Sequence, residues 1–240
     1  MTVVGLLHPG EMGAALGTAL RSAGHEVLWA SAGRSGATRA RAAAFTDAET
    51  AATVVARSDV VLSVVPPHGA LALAESLPPF AGLYVDANAV SPETARRVGS
   101  AVTRFVDGGI IGAPAAPRLC LSGDEAAQVA ALFAGTTVEA LVVSNASALK
   151  CAYAGWTKGS AALLLAVRDF ARAEGVEPAL LAEWAHSQPE LERRLASAER
   201  SAATKGWRWV GEMEEIASAL AADGLPPGFH AAAAAIFERT

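Results

Sequence analysis

The stretch His8-Pro9-Gly10-Glu11-Met12-Gly13 follows an apolar run, Thr2 to Leu7, and leads into a segment of helical composition. Its residue types suit the binding of an anion. Where a strand turns tightly into a helix, the first backbone N–H groups have no partner within the helix. They hold a phosphate there, helped by the positive end of the helix dipole. Here those groups belong to Gly10, Glu11 and Met12. A glycine at position 10 lets the backbone approach a pyrophosphate, and one at position 13 lets the helix pack closely on its strand. Pro9 fixes its own φ. His8 replaces the first glycine of the G-x-G-x-x-G pattern, where it either lies beside a phosphate or covers the sheet end. Pro9, Gly10, Glu11, Met12 and Gly13 are the expected dinucleotide contacts.

The end of the second apolar run tests which dinucleotide. About 20 residues after such a turn, an NAD site places an acid on the ribose hydroxyls. The run Glu26 to Ala30 instead enters Ser31-Ala32-Gly33-Arg34-Ser35, and no acid follows before Asp47. Hydroxyls and a guanidinium suit a 2′-phosphate, which Arg pairs bidentately and a carboxylate would repel. Ser31, Arg34 and Ser35 therefore point to NADP(H).

A second chemical candidate is Lys150. It stands near the start of an uninterrupted helical stretch, Ala146 to Gly175, with few other charges around it. Tyr153, Ala154 and Thr157 share its helix face by i, i+3, i+4, i+7 spacing. The two cysteines, Cys120 and Cys151, show no CxxC spacing, and the five histidines form no i, i+4 pair. They read as reduced core thiols and scattered imidazoles, with no metal mechanism.

Elements that position these residues follow from the patterning. Apolar runs alternate with Ala-rich helical runs: TVVGLL, EVLWA, DVVLSVV and LYVDAN, each followed by a helix. Near-continuous apolar strands with helical crossovers imply a buried parallel sheet. RFVDGG, RLCLSG and VEALVV supply later strands, with DEAAQVAALFAG a helix between the last two. ATRARAAAF is the expected crossover from the second strand to DVVLSVV. The long helix of roughly 25 to 30 residues ends at Gly175, with Pro178 following it. The remaining segments are helical, punctuated by Pro189, Gly206 and the Gly224 to Gly228 turn. The fold class is α/β: a Rossmann-type doubly wound N-terminal sheet over residues 1–145, then a long interdomain helix and a small all-α C-terminal part within 146–240.

Bulk properties narrow the partners. With 240 residues the chain can bury a sizeable core. A net charge of −5 with 18% charged residues gives no support to a nucleic-acid or anionic-membrane partner. No apolar segment is long enough for a membrane span and no signal-peptide pattern opens the chain, so a cytoplasmic location is expected.

Four segments together resemble the β-hydroxyacid dehydrogenase superfamily, which includes 6-phosphogluconate and 3-hydroxyisobutyrate dehydrogenases and has imine reductases as relatives. They are GLLHPGEMG, VVPP, VDANAVSPETARRV with VDGGIIGAP, and SNASALKCAYAGWTKGSAAL. The ending KGWRWVGEMEEIASAL with GLPPGFH is similar to a branch with a short helical C-terminal domain. The resemblance implies that Val65 and Pro66 border the cofactor, and that Asn88 and Ser91 reach nicotinamide and substrate. It places Gly112 in a carboxylate-binding turn, where Ile111 stands in place of the family's serine. It makes Lys150 the general acid/base; the family's asparagine four residues later is Ala154 here, and Tyr153 or Thr157 would supply the missing polar contact. Thr157 or Lys158 would contact a polar end of the substrate. Family members form homodimers through the helical region, so a partner's Trp207, Trp209, Met213 and His230 are candidates for an apolar wall. The activity implied is hydride transfer between NADP(H) and a small alcohol/carbonyl substrate. Reduction of an imine or ketone on a hydrophobic uncharged substrate is the alternative, and a non-catalytic NADPH-binding protein a third reading.

Overall fold

A computed structural model describes residues 1–239; Thr240, the last residue of the expected C-terminal part, lies outside the described residues. The chain divides into two compact units, Met1–Lys150 and a second from Cys151 onward.

The first unit is built on one eight-stranded sheet of order β3-β2-β1-β4-β5-β6-β7-β8. Its strands are β1 (Val3–Leu7), β2 (Glu26–Trp29), β3 (Thr46–Asp47), β4 (Val60–Ser63), β5 (Leu83–Asp86), β6 (Phe105–Ile111), β7 (Arg118–Ser122) and β8 (Glu139–Val142). The first six run parallel; β7 is antiparallel to β6, and β8 parallel to β7. The central strands are apolar on both sides because helices cover both faces. One face, with Leu6, Leu62, Val85 and Val106, packs on Leu16 and Leu20 of α1 (Glu11–Ser22) and Val129 of α6 (Ala126–Ala131). The other, with Leu7, Leu28, Val61 and Tyr84, packs on Val54 and Val55 of α3 (Ala51–Arg57), Ala74 of α4 (Ala70–Ser76) and Val98 of α5 (Pro92–Ser100). Strand order reverses between β1 and β4, which neighbour each other although β2 and β3 intervene in sequence. Such a switch point leaves a crevice at the carboxyl ends of the strands.

The crossover from β2 departs from the sequence expectation. ATRARAAAF forms only the short α2 (Gly36–Arg41), after which the chain adds β3 and α3 before β4. A two-residue strand carries no periodicity to read, and Thr50 then caps α3 by accepting from the Thr53 N–H.

Helix α7 (Ala146–Ala173) is continuous, as its composition predicts, and its end turns at Gly175 with φ +72. The second unit contains most of it together with α8 (Glu177–Ser187), α9 (Glu190–Ala222) and α10 (Gly228–Phe237). Gly206 does not interrupt α9, contrary to the sequence expectation; it is buried in the helix interior. A mid-helix glycine costs about 1 kcal/mol, and α9 runs on through it. This unit's core holds Ala162, Leu165, Leu195, Met213 and Phe237. Among the described residues no helix is long and apolar enough to cross a membrane.

Candidate functional site

The first unit gathers most of the singled-out residues along the carboxyl ends of its parallel strands. The turn from β1 enters α1 with Gly10 as an extended N-cap that no side chain caps. A Cβ added at Gly10 would meet nothing within 4 Å, whereas one at Gly13 would lie 2.9 Å from the His8 carbonyl oxygen. Gly10 therefore leaves its approach open, and Gly13 lets the helix close on the turn. The turn's left-handed residue is His8 itself, at φ +65, with its carbonyl accepting from the Gly10 N–H at 2.7 Å. Pro9 does not replace the first glycine's conformation; His8 adopts it, as histidine, asparagine and aspartate do more often than other non-glycine residues. Burial, with the Arg34 charge adding to it, lowers the His8 pKa to about 4.

After β2, the buried Ser31 is held on several sides. Its carbonyl accepts from Arg39 Nη2 at 2.8 Å and from the Arg34 N–H at 3.1 Å. Asp47 of β3 is held below the usual carboxylate range, first by the Ser31 hydroxyl and then by the Glu49 N–H. Ser35 caps α2, accepting from the Thr38 N–H at 3.3 Å. Arg34 is half-buried, burial lowers its pKa, and its Nε is buried with no hydrogen-bond partner among the described residues. Arg39 and Asp47 were not singled out in the sequence. The spacing of Arg39, one helical turn past Ser35, is the signal that could have found it.

At the ends of β4 and β5 a buried polar group joins two loops. Asn88 Oδ1 accepts from the Val65 N–H, and its Nδ2 donates to Ser63 Oγ at 3.1 Å and to Asp86 Oδ1. Asn88 is 2% exposed and Asp86 fully buried. The amide that the resemblance assigns to nicotinamide and substrate is thus engaged in fixing the Val65-Pro66 segment to the end of β5. Tyr84 lies below it, its phenol pushed above the usual range by burial, with the Asp86 charge adding to the shift. Ser91, also a sequence candidate, is buried and caps α5 by accepting from the Thr94 N–H at 3.2 Å.

Lys150 is placed by close approach and by capping. Gly109 of β6 faces the first turns of α7: a Cβ there would stand 2.8 Å from Lys150 Cβ and 3.2 Å from the Ala146 carbonyl oxygen. Gly108 beside it admits the Asp86 carbonyl, which a Cβ would meet at 2.8 Å. Two adjacent glycines thus let the end of β5 and the start of α7 both close on β6. Asp107 then fixes the helix end, its carboxylate accepting from the Ser147 N–H at 2.9 Å, from Ser122 Oγ at 3.0 Å and from Ser147 Oγ. The Ala146 N–H donates to Ser122 Oγ at 2.9 Å. Asp107→Ala leaves these donors unmet and is expected to cost about 2 kcal/mol, read as a lower urea midpoint. Asp107→Asn should keep about half of that stability, because one acceptor oxygen remains.

Gly112, at φ +99, forms the turn after β6, and a Cβ there would meet the Ala116 carbonyl at 3.2 Å. Ile111 is buried with Cys120 and Ala146, so an apolar contact stands at that position. Burial raises the Cys120 thiol pKa. Both cysteines are buried.

In the second unit, Tyr153 is 40% exposed, and the Thr157 hydroxyl donates to its carbonyl at 3.0 Å. Lys158 is ion-paired with Glu212 and lies over the Trp209 ring. Met213 is core, Trp209 packs edge-on against Phe237, and His230 Nε2 lies 3.3 Å from the Gly155 carbonyl. Trp207 is 67% exposed.

Residues 3–89 match the family model described as "NADP oxidoreductase coenzyme F420-dependent", and residues 171–240 match "Domain of unknown function (DUF1932)". No curated protein matches the chain. Among solved structures, the conserved protein MTH1747, described as of unknown function with structural similarity to 3-hydroxyacid dehydrogenases, is 29% identical. The match covers 99% of this chain and 96% of that one, with a TM-score of 0.71. Mycobacterium tuberculosis 3-hydroxyisobutyrate dehydrogenase with L-serine is 20% identical over 100% of this chain and 93% of that one, TM-score 0.67. The reductive aminase from Aspergillus terreus in complex with NADPH and ethyl levulinate is 19% identical over 100% and 93%, TM-score 0.61.

Proposed function

We propose that this chain is an NADP(H)-dependent oxidoreductase of the β-hydroxyacid dehydrogenase type, acting on a small carbonyl or imine, with Lys150 as general acid/base; the match of residues 3–89 to an NADP oxidoreductase model and the likeness to MTH1747 support it. The observation that carries this reading is the placement of Lys150 against Gly109 in the unit that carries the β1–α1 turn at its switch point. The turn fits a dinucleotide: Gly10 has open space above it, α1 presents an end without a side-chain cap, and Arg34 keeps a buried Nε without a partner among the described residues. Gly10, Glu11, Met12 and Gly13 would hold the pyrophosphate, Arg34 and the Ser31 segment the 2′-phosphate, and Val65 and Pro66 would border the nicotinamide side. The bound cofactor supplies or accepts a hydride. This chain's part is to orient the acceptor carbon and to move a proton. Lys150 Nζ donates it to the developing alkoxide or amine nitrogen in reduction and takes it back in oxidation. Asn88 and Ser91 act by holding their loops, and Tyr153 and Thr157, farther along the Lys150 face of α7, are proposed substrate contacts.

A second reading, reduction of a neutral hydrophobic ketone or imine, is favoured by the buried Ile111 at the turn around Gly112 and by the pairing of Lys158 with Glu212. NADPH consumption with 3-oxo acids, neutral ketones and cyclic imines separates the two. Turnover confined to the acids would remove the second reading, and turnover confined to neutral compounds would establish it.

We also propose a homodimer. Tyr153, Trp156, Leu163, Val167 and Phe170 are exposed on α7 at 36% to 69% and recur at alternating three- and four-residue steps once Ser160 is included. An a/d-type stripe of this length suits a partner helix. Trp156→Glu is expected to raise the dimer dissociation constant about 30-fold or more, seen by sedimentation velocity across a dilution series.

A further inference from the structure

The residue that departs from the dinucleotide pattern also feels the charge of Arg34. His8 and Arg34 leave the ends of β1 and β2, neighbouring strands whose register pairs Leu6 with Trp29. The imidazole is half-buried and lies within electrostatic reach of the Arg34 guanidinium. Two groups able to carry positive charge, both partly removed from water, thus follow neighbouring strand ends of one sheet. Arg34 Nε has no acceptor there among the described residues. The neighbouring charges do not quench this. Asp47 is directed at Ser31, the Glu49 N–H and Arg39, and Arg39 itself spans the Ser31 and Arg34 carbonyls. Glu11, in the first turn of α1, is exposed.

We infer that His8 and Arg34 together seat the 2′-phosphate of the cofactor, and that His8 takes up a proton from solvent as the phosphate binds. The inference rests on the NADP(H) reading above and assigns to His8 a role that a glycine in its place lacks. In the free protein, desolvation and Arg34 both oppose a charge on the imidazole, so His8 is neutral at pH 7. A dianionic phosphate set between the two groups reverses the sign of the local field, and the imidazolium then becomes the favoured form. The left-handed backbone at His8, which glycine would adopt without strain, is the structural cost of keeping a titratable ring at this point. Discrimination between the two nicotinamide dinucleotides would then depend on pH, NADP(H) binding weakening as pH rises and NAD(H) binding staying level.

The test is calorimetric titration of the full-length protein with NADP⁺ and with NAD⁺ at pH 7, in two buffers of different ionisation enthalpy, for wild type and His8→Gly. The difference in heat between buffers counts protons, and the His8→Gly count subtracts any proton exchanged by the phosphate itself. Per NADP⁺ bound, wild type should take up at least about half a proton more than His8→Gly does, and the preference of His8→Gly for NADP⁺ over NAD⁺ should be about tenfold smaller than that of wild type. Neither protein should take up a proton with NAD⁺. Equal proton counts in the two proteins would overturn the role of His8 and leave the NADP(H) reading standing. Failure of wild type to bind NADP⁺ at about 1 mM, a limit near 4 kcal/mol of binding energy, would overturn both.

Discussion

Lys150→Ala is expected to lower NADPH-driven turnover about a thousandfold, the usual weight of a positioned general acid, with NADPH affinity changed less than about twofold. Affinity is spared because the proposed phosphate and ribose contacts lie on the β1 and β2 loops, on residues other than this lysine. Lys150→Arg separates two origins of the loss. Arginine keeps the charge but does not give up a proton in this pH range, so a variant as slow as alanine assigns the lysine to proton transfer. Activity within about tenfold of wild type would assign it to charge stabilisation instead. Gly109→Val checks the placement without touching the lysine. The new Cβ would lie 2.8 Å from Lys150 Cβ and 3.2 Å from the Ala146 carbonyl, so α7 must shift its first turns. Turnover should fall with Lys150 still present. Equal turnover in wild type and Lys150→Ala would remove the lysine from the mechanism.

The strands and the long helix were legible because burial on two faces writes continuous apolar runs and because nothing between Ala146 and Ala173 breaks a helix. The pair β3 and α3 was hidden. Two ladder residues carry no pattern, and the helix after them depends on Thr50 as its cap. Gly206 was read as a break since glycine disfavours helix locally, yet it lies buried in the interior of the unbroken α9. At the site, the residue types were visible but their partners were not. Asn88 looked like a ligand contact, and the fold turns its whole amide inward to Val65, Ser63 and Asp86, across as many as 25 positions in sequence. The same holds for Asp107, which caps a helix 40 residues away. Such side chains act through what the fold places beside them, and sequence spacing records only near neighbours. Gly108 and Gly109 carried a signal that went unused: two glycines inside a strand mark a close approach of other backbone.

The engagement of Asn88 makes the second large effect one of stability and its pH dependence. Asn88→Asp changes one NH₂ to an oxygen at almost constant shape, and its carboxylate can still accept from the Val65 N–H and the Ser63 hydroxyl. The donor to Asp86 is gone, however, and two carboxyls then face each other at positions 2% and 0% exposed. Both cannot ionise there at once, so the pair retains a proton and titrates as a unit above the carboxylate range of the unfolded chain. The sign follows directly. In the unfolded chain both groups lose their protons near pH 4, while the folded pair holds one to higher pH. Stability is therefore fully kept below about pH 4 and lost as pH rises from there to the folded value, at a limiting slope of about 1.4 kcal/mol per pH unit. At pH 5 the variant should have lost only about 1.5 kcal/mol to this linkage, and at pH 8 it should be about 3 to 5 kcal/mol less stable than wild type, the cost of an uncompensated buried charge. Asn88→Ala should be destabilised at both values without that slope, because it removes the donor but adds no carboxyl. Urea unfolding of the three proteins at pH 5 and pH 8 reads both quantities. A flat difference between Asn88→Asp and wild type across that range would mean that water reaches the ends of β4 and β5, and that the Val65-Pro66 loop is held by something other than this buried amide.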